Sequence, residues 1–230
     1  MMPRMKRLCI SGYPMHIVQR GNNRPPCFHR DQDYVMYLNS LAEMSTKYEV
    51  DVHAFVLMTN HVHMLVTPTT SDGASRMMQQ VGRKYVQPFN KYNQRSGTLW
   101  EGRFHSTLID SETYLFTCYR YIELNPVRAH MVNIPDDYRR SSYRVNALGS
   151  KSTLIKPRQE LLLLSKDRDL RLERYRRIFS SGGTEDNFDA IRFGTNKGLP
   201  VGSVQFREKI EATLDVSLGS GIPGRPRTVR

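Results

Sequence analysis

A chain of 230 residues, 39% hydrophobic and 24% charged, suits one ordinary domain with a smaller appendage, and is too balanced to be disordered. No apolar run approaches the roughly 20 residues that span a bilayer, and the basic start, Met1 to Arg7, lacks the apolar stretch of a secretory signal, so a cytoplasmic protein is expected. A formal charge of +12, not gathered on one amphipathic helix, favours nucleic acid over a membrane surface as partner, and three scattered cysteines (Cys9, Cys27, Cys118) exclude a disulfide framework.

In chain order, Met15 to Gln19 reads as a strand running into the turn cluster Gly21-Asn22-Asn23-Arg24-Pro25-Pro26. Asp31 is the expected N-cap of a helix to about Tyr48, with Tyr34, Tyr37, Leu38, Leu41 and Met44 at helical spacing. Val50 to Met58 and His61 to Thr67 form a hairpin about Thr59-Asn60, without the favoured Asn-Gly turn. Ala74 to about Tyr92 is helical, with Pro88 expected to kink or end it. Arg103 to Ile109 is a fourth strand, and Asp110 or Ser111 should cap a helix through about Asn125. This β-α-β-β-α-β-α order predicts an α+β fold, a ferredoxin-like or RRM-like antiparallel sheet with helices on one face. Residues 1–150 are expected to form that domain and 151–218 a small, basic helical C-terminal region. That region should hold two short helices within Lys156 to Phe179 and another over about Ser203 to Leu214. Residues 219–230 read as a flexible basic tail, in which Pro223-Gly224-Arg225-Pro226-Arg227 falls short of a minor-groove hook.

Asn60-His61-Val62-His63-Met64 carries the sharpest chemical signal. Side chains alternate along a strand, so His61 and His63 share a face on which two imidazoles can bind one divalent cation. By itself such a pair also arises by chance on a solvated face. The second signal is Tyr119-Arg-Tyr121-Ile-Glu-Leu-Asn125-Pro126, where Tyr121 and Asn125, four apart on a helix, project together while Tyr119 points nearly opposite. Alone, this pattern is ordinary amphipathic packing. Together the two suit attack by a phenolic oxygen on a phosphodiester polarised by a divalent ion.

At these residues the chain resembles a known family. His61-Val62-His63 is similar to the His-hydrophobe-His motif of the HUH endonucleases. Tyr121-Ile-Glu-Leu-Asn125-Pro126-Val-Arg128-Ala129 resembles the tyrosine motif of the REP-associated tyrosine transposases, single-tyrosine relatives of insertion-sequence transposases. Leu99-Trp100-Glu101-Gly102-Arg103-Phe104 and Ser141-Ser142-Tyr143 support it, and the likeness runs over about residues 12–148. The resemblance implies that His61 and His63 are metal ligands, Asn125 a third ligand, Tyr121 the nucleophile, and Mg²⁺ or Mn²⁺ the ion. It implies cleavage and rejoining of hairpin-forming single-stranded DNA, of the repetitive extragenic palindrome kind, by a nucleoid-associated monomer or homodimer.

Further residues are expected to hold DNA without doing chemistry: Arg20, Asn22, Asn23 and Arg24 after the first strand, Arg83 and Lys84 on a helix, Arg103, and Trp100 as a base-stacking platform. A turn, a solvated helix face and a core aromatic are their plainer readings. His53 and His105 read as packing or phosphate-contact residues. Two other functions compete: a DNA- or RNA-binding regulator without catalysis, which needs none of His61, His63, Tyr121 and Asn125, and a metal hydrolase in which water attacks instead of Tyr121.

Overall fold

The computed structural model describes residues 7–23, 25–180 and 185–218. The elements are β1 (Met15–Arg20), α1 (Asp31–Lys47), β2 (Val50–Leu57), β3 (His61–Pro68), α2 (Gly73–Tyr92), β4 (His105–Leu108), α3 (Leu115–Glu123) and α4 (Asn125–Arg128). A 3-10 turn, Pro135–Asp137, leads to α5 (Tyr143–Asn146), α6 (Gln159–Leu162), α7 (Arg168–Ser180), α8 (Glu185–Lys197) and α9 (Val204–Leu214). The strands form an antiparallel sheet in the order β2-β3-β1-β4.

The expected α+β sheet is present, but its helices cover both faces rather than one. Both faces are apolar. Ile17, Val62, Met64 and Val66 pack with α1 and α2 residues such as Leu41, Met77, Val81 and Phe89. On the reverse face Ala54, Val56 and Leu65 pack with Leu115, Ile122, Tyr175, Phe188 and Ile191 from α3, α7 and α8. A β-bulge at His53 lets β2 serve both cores, shifting the alternation so that Val50, Val52, Phe55 and Leu57 all reach the α1/α2 side.

Other boundaries move for local reasons. Arg30, not Asp31, is the N-cap of α1, because the buried Asp33 carboxylate accepts the backbone N–H groups of His29 and Arg30 at 2.8 and 3.0 Å. Pro88 neither ends nor breaks α2: it sits on the exposed face, where water can satisfy the Lys84 carbonyl it leaves without a donor. The third long helix begins only at Leu115, because the Asp110 carboxylate is engaged by Glu112 N, Thr113 Oγ1 and the Ser203 backbone N–H that opens α9. The basic tail, 219–230, and Arg24 lie outside the described residues.

α8 is the element that pattern reading missed. Phe188, Ile191 and Thr195 recur at helical spacing on its buried face, and their contacts are with β4, β1 and α3. The Leu199–Val201 segment folds back closely on the last turns of α8 because residue 194 is glycine. A Cβ there would stand 2.3 Å from Val201 Cγ2 and 2.9 Å from the Leu199 carbonyl.

Candidate active site

β1 and β3 pair with Arg20 opposite His61 and Val18 opposite His63. His16, two residues before Val18, therefore lies diagonally across from His63 on the same face. The His61 and His63 rings are 4.9 Å apart between centroids, while His16 and His63 lie side by side, nearly coplanar, with centroids 5.1 Å apart and planes 6° apart. His16 is fully buried, His63 is 4% exposed and His61 is half-buried.

Burial holds these imidazoles neutral. It pushes the His16 pKa down to about 3 and, with help from the Arg20 charge, that of His61 to about 4. His63 is driven well below the ordinary value by burial and then by His16, His61, Arg20 and Arg128. Neutral imidazole is the metal-binding form. Among the described residues, no three His, Cys, Asp or Glu side chains group as a metal site. A divalent ion on His61 and His63 would thus need its remaining donors from an amide, water or substrate. The pair of adjacent neutral imidazoles fits such an ion.

α3 brings Tyr121 to the same place. Its ring meets His63 edge-on at 5.6 Å and His16 at 5.5 Å. Phe188 of α8 lies 5.6 Å away on another side, and the Arg128 guanidinium stands 5.4 Å from the Tyr121 centroid. Enclosed in this way, Tyr121 is 6% exposed. Asn125 opens α4, one turn on, and its Nδ2 donates to the Tyr121 carbonyl at 3.3 Å. Tyr119 faces the other way into the core, against Tyr175 at 5.8 Å.

The carboxylate within the tyrosine motif does structural work. Glu123 is fully buried, and its oxygens accept from Ser142 Oγ (2.5 Å), Asn146 Nδ2 (2.8 Å) and Tyr175 OH (2.9 Å), joining α3, α5 and α7. Burial raises its pKa to about 7 against these three bonds. The Ser141-Ser142-Tyr143 segment owes its place to this clasp and to the Ser142 Oγ bond from the Phe55 N–H.

The expected DNA-contact residues divide between two places. Arg20 is exposed at the edge of the histidine site. Arg83, Trp100 and Arg103 line a groove of about 560 Å³ with Arg7, Gln19 and Arg76, against α2 on the other side of the sheet. Arg83 and Arg103 are exposed there, but Trp100 is 5% exposed and packs against Tyr37 and Tyr85 as a core aromatic. Burial leaves it no open face for a base. Lys84 pairs with Glu43 at 2.6 Å. Asn22 donates its backbone N–H to Leu99, and Asn23 is exposed in a left-handed turn at φ 59°. His53 is a packing residue whose nitrogens meet the Lys156 carbonyl and Thr67 Oγ1.

Sequence reasoning missed His16, Arg128, Phe188 and Thr195. Strand alternation puts His16 on the face of Val18 and Arg20, but only the β1–β3 register sets it beside His63.

The family model described as "Transposase IS200 like" matches residues 9–125, just over half of the chain. Among solved structures, one described as a REP-associated tyrosine transposase bound to a REP hairpin aligns with TM-score 0.56 and 18% identity, covering 68% of this chain and 93% of that one. At that identity the likeness speaks for the fold. A crystal structure from Deinococcus radiodurans R1, provisionally described as a transposase, aligns with TM-score 0.38 and 17% identity over 48% of this chain and 89% of its own, a score that carries no weight. No curated protein matches.

Proposed function

The chain belongs to the IS200-like transposase family, and on that premise we propose that it is a metal-dependent, single-tyrosine nuclease and strand transferase. Its substrate in this reading is hairpin-forming single-stranded DNA, which it cleaves and rejoins. The observation that carries the reading is the convergence, within one chain, of Tyr121 on the two-histidine face of the sheet.

The Tyr121 oxygen attacks phosphorus, a phenolic O–P bond forms, and the bond to the 3′-oxygen breaks, leaving a 5′-phosphotyrosine and, once protonated, a 3′-hydroxyl. Attack by a 3′-hydroxyl on that ester reverses the step and rejoins the strand without ATP. His61 and His63 would hold Mg²⁺ or Mn²⁺ with Asn125 as a third donor, and the ion would polarise a nonbridging phosphate oxygen. Two neutral imidazoles favour Mn²⁺ of the two. Arg128, beside the Tyr121 ring, is placed to meet phosphate charge. Arg20, Asn22 and Asn23 on one side and the groove with Arg83 and Arg103 on the other supply contacts for DNA. Two things support a hairpin of the repetitive extragenic palindrome type. One is the sequence motif around Tyr121; the other is the fold shared with a transposase whose structure holds such a hairpin. The site is assembled from one chain, which suits a monomer, and no helix among the described residues is long and apolar enough to cross a membrane. A cytoplasmic, nucleoid-associated setting goes with this reading.

One observation favours a second reading, a hairpin-binding regulator without catalysis: Tyr121 is only 6% exposed beneath Phe188. A denaturing gel separates the two. Labelled hairpin oligonucleotides from repeats flanking the gene, incubated with Mn²⁺, should give a covalent protein–DNA adduct that is absent with Tyr121→Phe. Cleavage that survives in the variant would assign attack to Tyr119 or water. Tight binding without cleavage by the wild type would favour the regulator.

A further inference from the structure

A neutral imidazole carries its proton on one nitrogen and offers its lone pair on the other, so a histidine binds metal through a given atom only in the matching tautomer. The hydrogen bonds around His61 and His63 decide that tautomer for both. Asn60 Oδ1, which can only accept, lies 2.7 Å from His61 Nδ1. The His61 proton is therefore on Nδ1 and the lone pair on Nε2.

For His63 the decision is made further away. Its Nδ1 lies 2.9 Å from His16 Nε2, a contact that either ring could donate. His16 Nδ1 in turn lies 2.8 Å from Thr195 Oγ1 on α8. The Thr195 hydroxyl donates its single proton to the Ile191 carbonyl at 2.7 Å, the usual bond of a helical threonine to the residue four back. Thr195 Oγ1 must then accept from His16 Nδ1. That places the His16 lone pair on Nε2, so His63 donates from Nδ1 and keeps its own lone pair on Nε2.

We infer that Thr195 and His16 form a hydrogen-bonded chain that fixes the tautomer and ring orientation of His63 for metal binding, as Asn60 does for His61. The inference rests on the metal-site reading of His61 and His63 above. His16, with both ring nitrogens engaged, is a positioning residue rather than a ligand. The links are sheltered, with Thr195 3%, His16 0% and His63 4% exposed, so bulk water does not compete for them. Outer hydrogen bonds of this kind typically change metal affinity by about 10- to 100-fold.

The test begins on metal-free protein. Long-range ¹⁵N–¹H NMR of the histidine rings should show His16 and His63 protonated on Nδ1. Thr195→Val should mix the tautomers of both rings and weaken Mn²⁺ binding, followed by calorimetry without DNA, by about ten-fold or more. Thr195→Ser should restore both. A wild-type His63 protonated on Nε2 would overturn the inference, and so would unchanged tautomers and Mn²⁺ affinity in Thr195→Val. Should Thr195→Val fail to fold, the wild-type spectrum decides the hydrogen-bond chain and Thr195→Ala, which also removes the hydroxyl, its effect on Mn²⁺ affinity. Failure of the underlying reading looks different: wild type with the expected tautomers that binds no Mn²⁺ removes the metal role while leaving the chain of bonds intact.

Discussion

The ring of Tyr121 meets the imidazole of His63 edge-on, 5.6 Å away at 80°, and both belong to one polypeptide. If Tyr121 is the nucleophile and the histidines hold the metal, as proposed, one chain supplies both. Mixing Tyr121→Phe with His63→Ala protein should yield no covalent adduct above background, because neither chain holds a complete site. Recovery of a substantial fraction of wild-type adduct would show that subunits exchange tyrosines. Alone, His63→Ala should lose cleavage by about 1,000-fold or more, as expected when charge stabilisation is removed from a phosphoryl transfer, while hairpin binding in a gel-shift assay stays near wild type.

Phe188 lies on the Tyr121 ring and leaves it little exposed. Phe188→Ala should open the tyrosine to DNA and speed adduct formation several-fold. Truncating a buried phenylalanine should also lower unfolding stability by about 3–5 kcal/mol. Adduct formation at or below the wild-type rate in a folded variant would show that Phe188 does not limit access.

The groove beside α2 carries Arg83 and Arg103 with exposed guanidinium groups. If they meet phosphates, each change to Ala should weaken hairpin binding and reduce the slope of log affinity against log salt by about 1. An unchanged slope would remove the groove from the DNA path.

Glu123 gives the protein a pH-dependent stability. Its pKa is about 7 in the folded state against 4.5 for the ordinary side chain, so folding takes up a proton between those values. The stabilisation from that proton is complete below about pH 4.5 and is lost as pH rises through about 7. Between pH 6 and pH 8 Glu123 should take away about 1 kcal/mol of stability, but His16, His53, His61 and His63, held neutral by burial, add more as the unfolded chain loses its imidazole protons, so wild-type urea midpoints should rise. Glu123→Gln should steepen that rise by about the Glu123 contribution. A variant whose pH dependence matches that of wild type would contradict the assignment.

Much of this site was legible in one dimension, and the reason is periodicity. His61 and His63 are two apart on a strand and Tyr121 and Asn125 four apart around a helix end, so local geometry alone gives each pair a shared side. What joins the pairs depends on register and on packing between distant segments, which no local pattern encodes. His16 reads as one more strand residue until Val18 is known to pair with His63. The bulge at His53 was equally hidden, because Val52 and the run Ala54 to Leu57 are apolar enough for either face. Trp100 resembled a stacking platform because an aromatic in a Gly-rich basic loop suits that role, yet Tyr37 and Tyr85 enclose it. α8 escaped notice because Phe188, Ile191 and Thr195 make too sparse an apolar stripe beside a Ser-Ser-Gly-Gly run.

Thr195 separates two meanings of the word boundary. The stretch that marks the family ends at residue 125, but the Thr195 hydroxyl joins a much later helix to His16 on β1. A fragment trimmed to the shared stretch would keep His61, His63 and Tyr121 in its sequence. It would also strip Phe188 and Ile191 from the apolar sheet face and invite aggregation. The signature thus identifies the family, while the cover that makes its sheet face soluble comes from residues outside it.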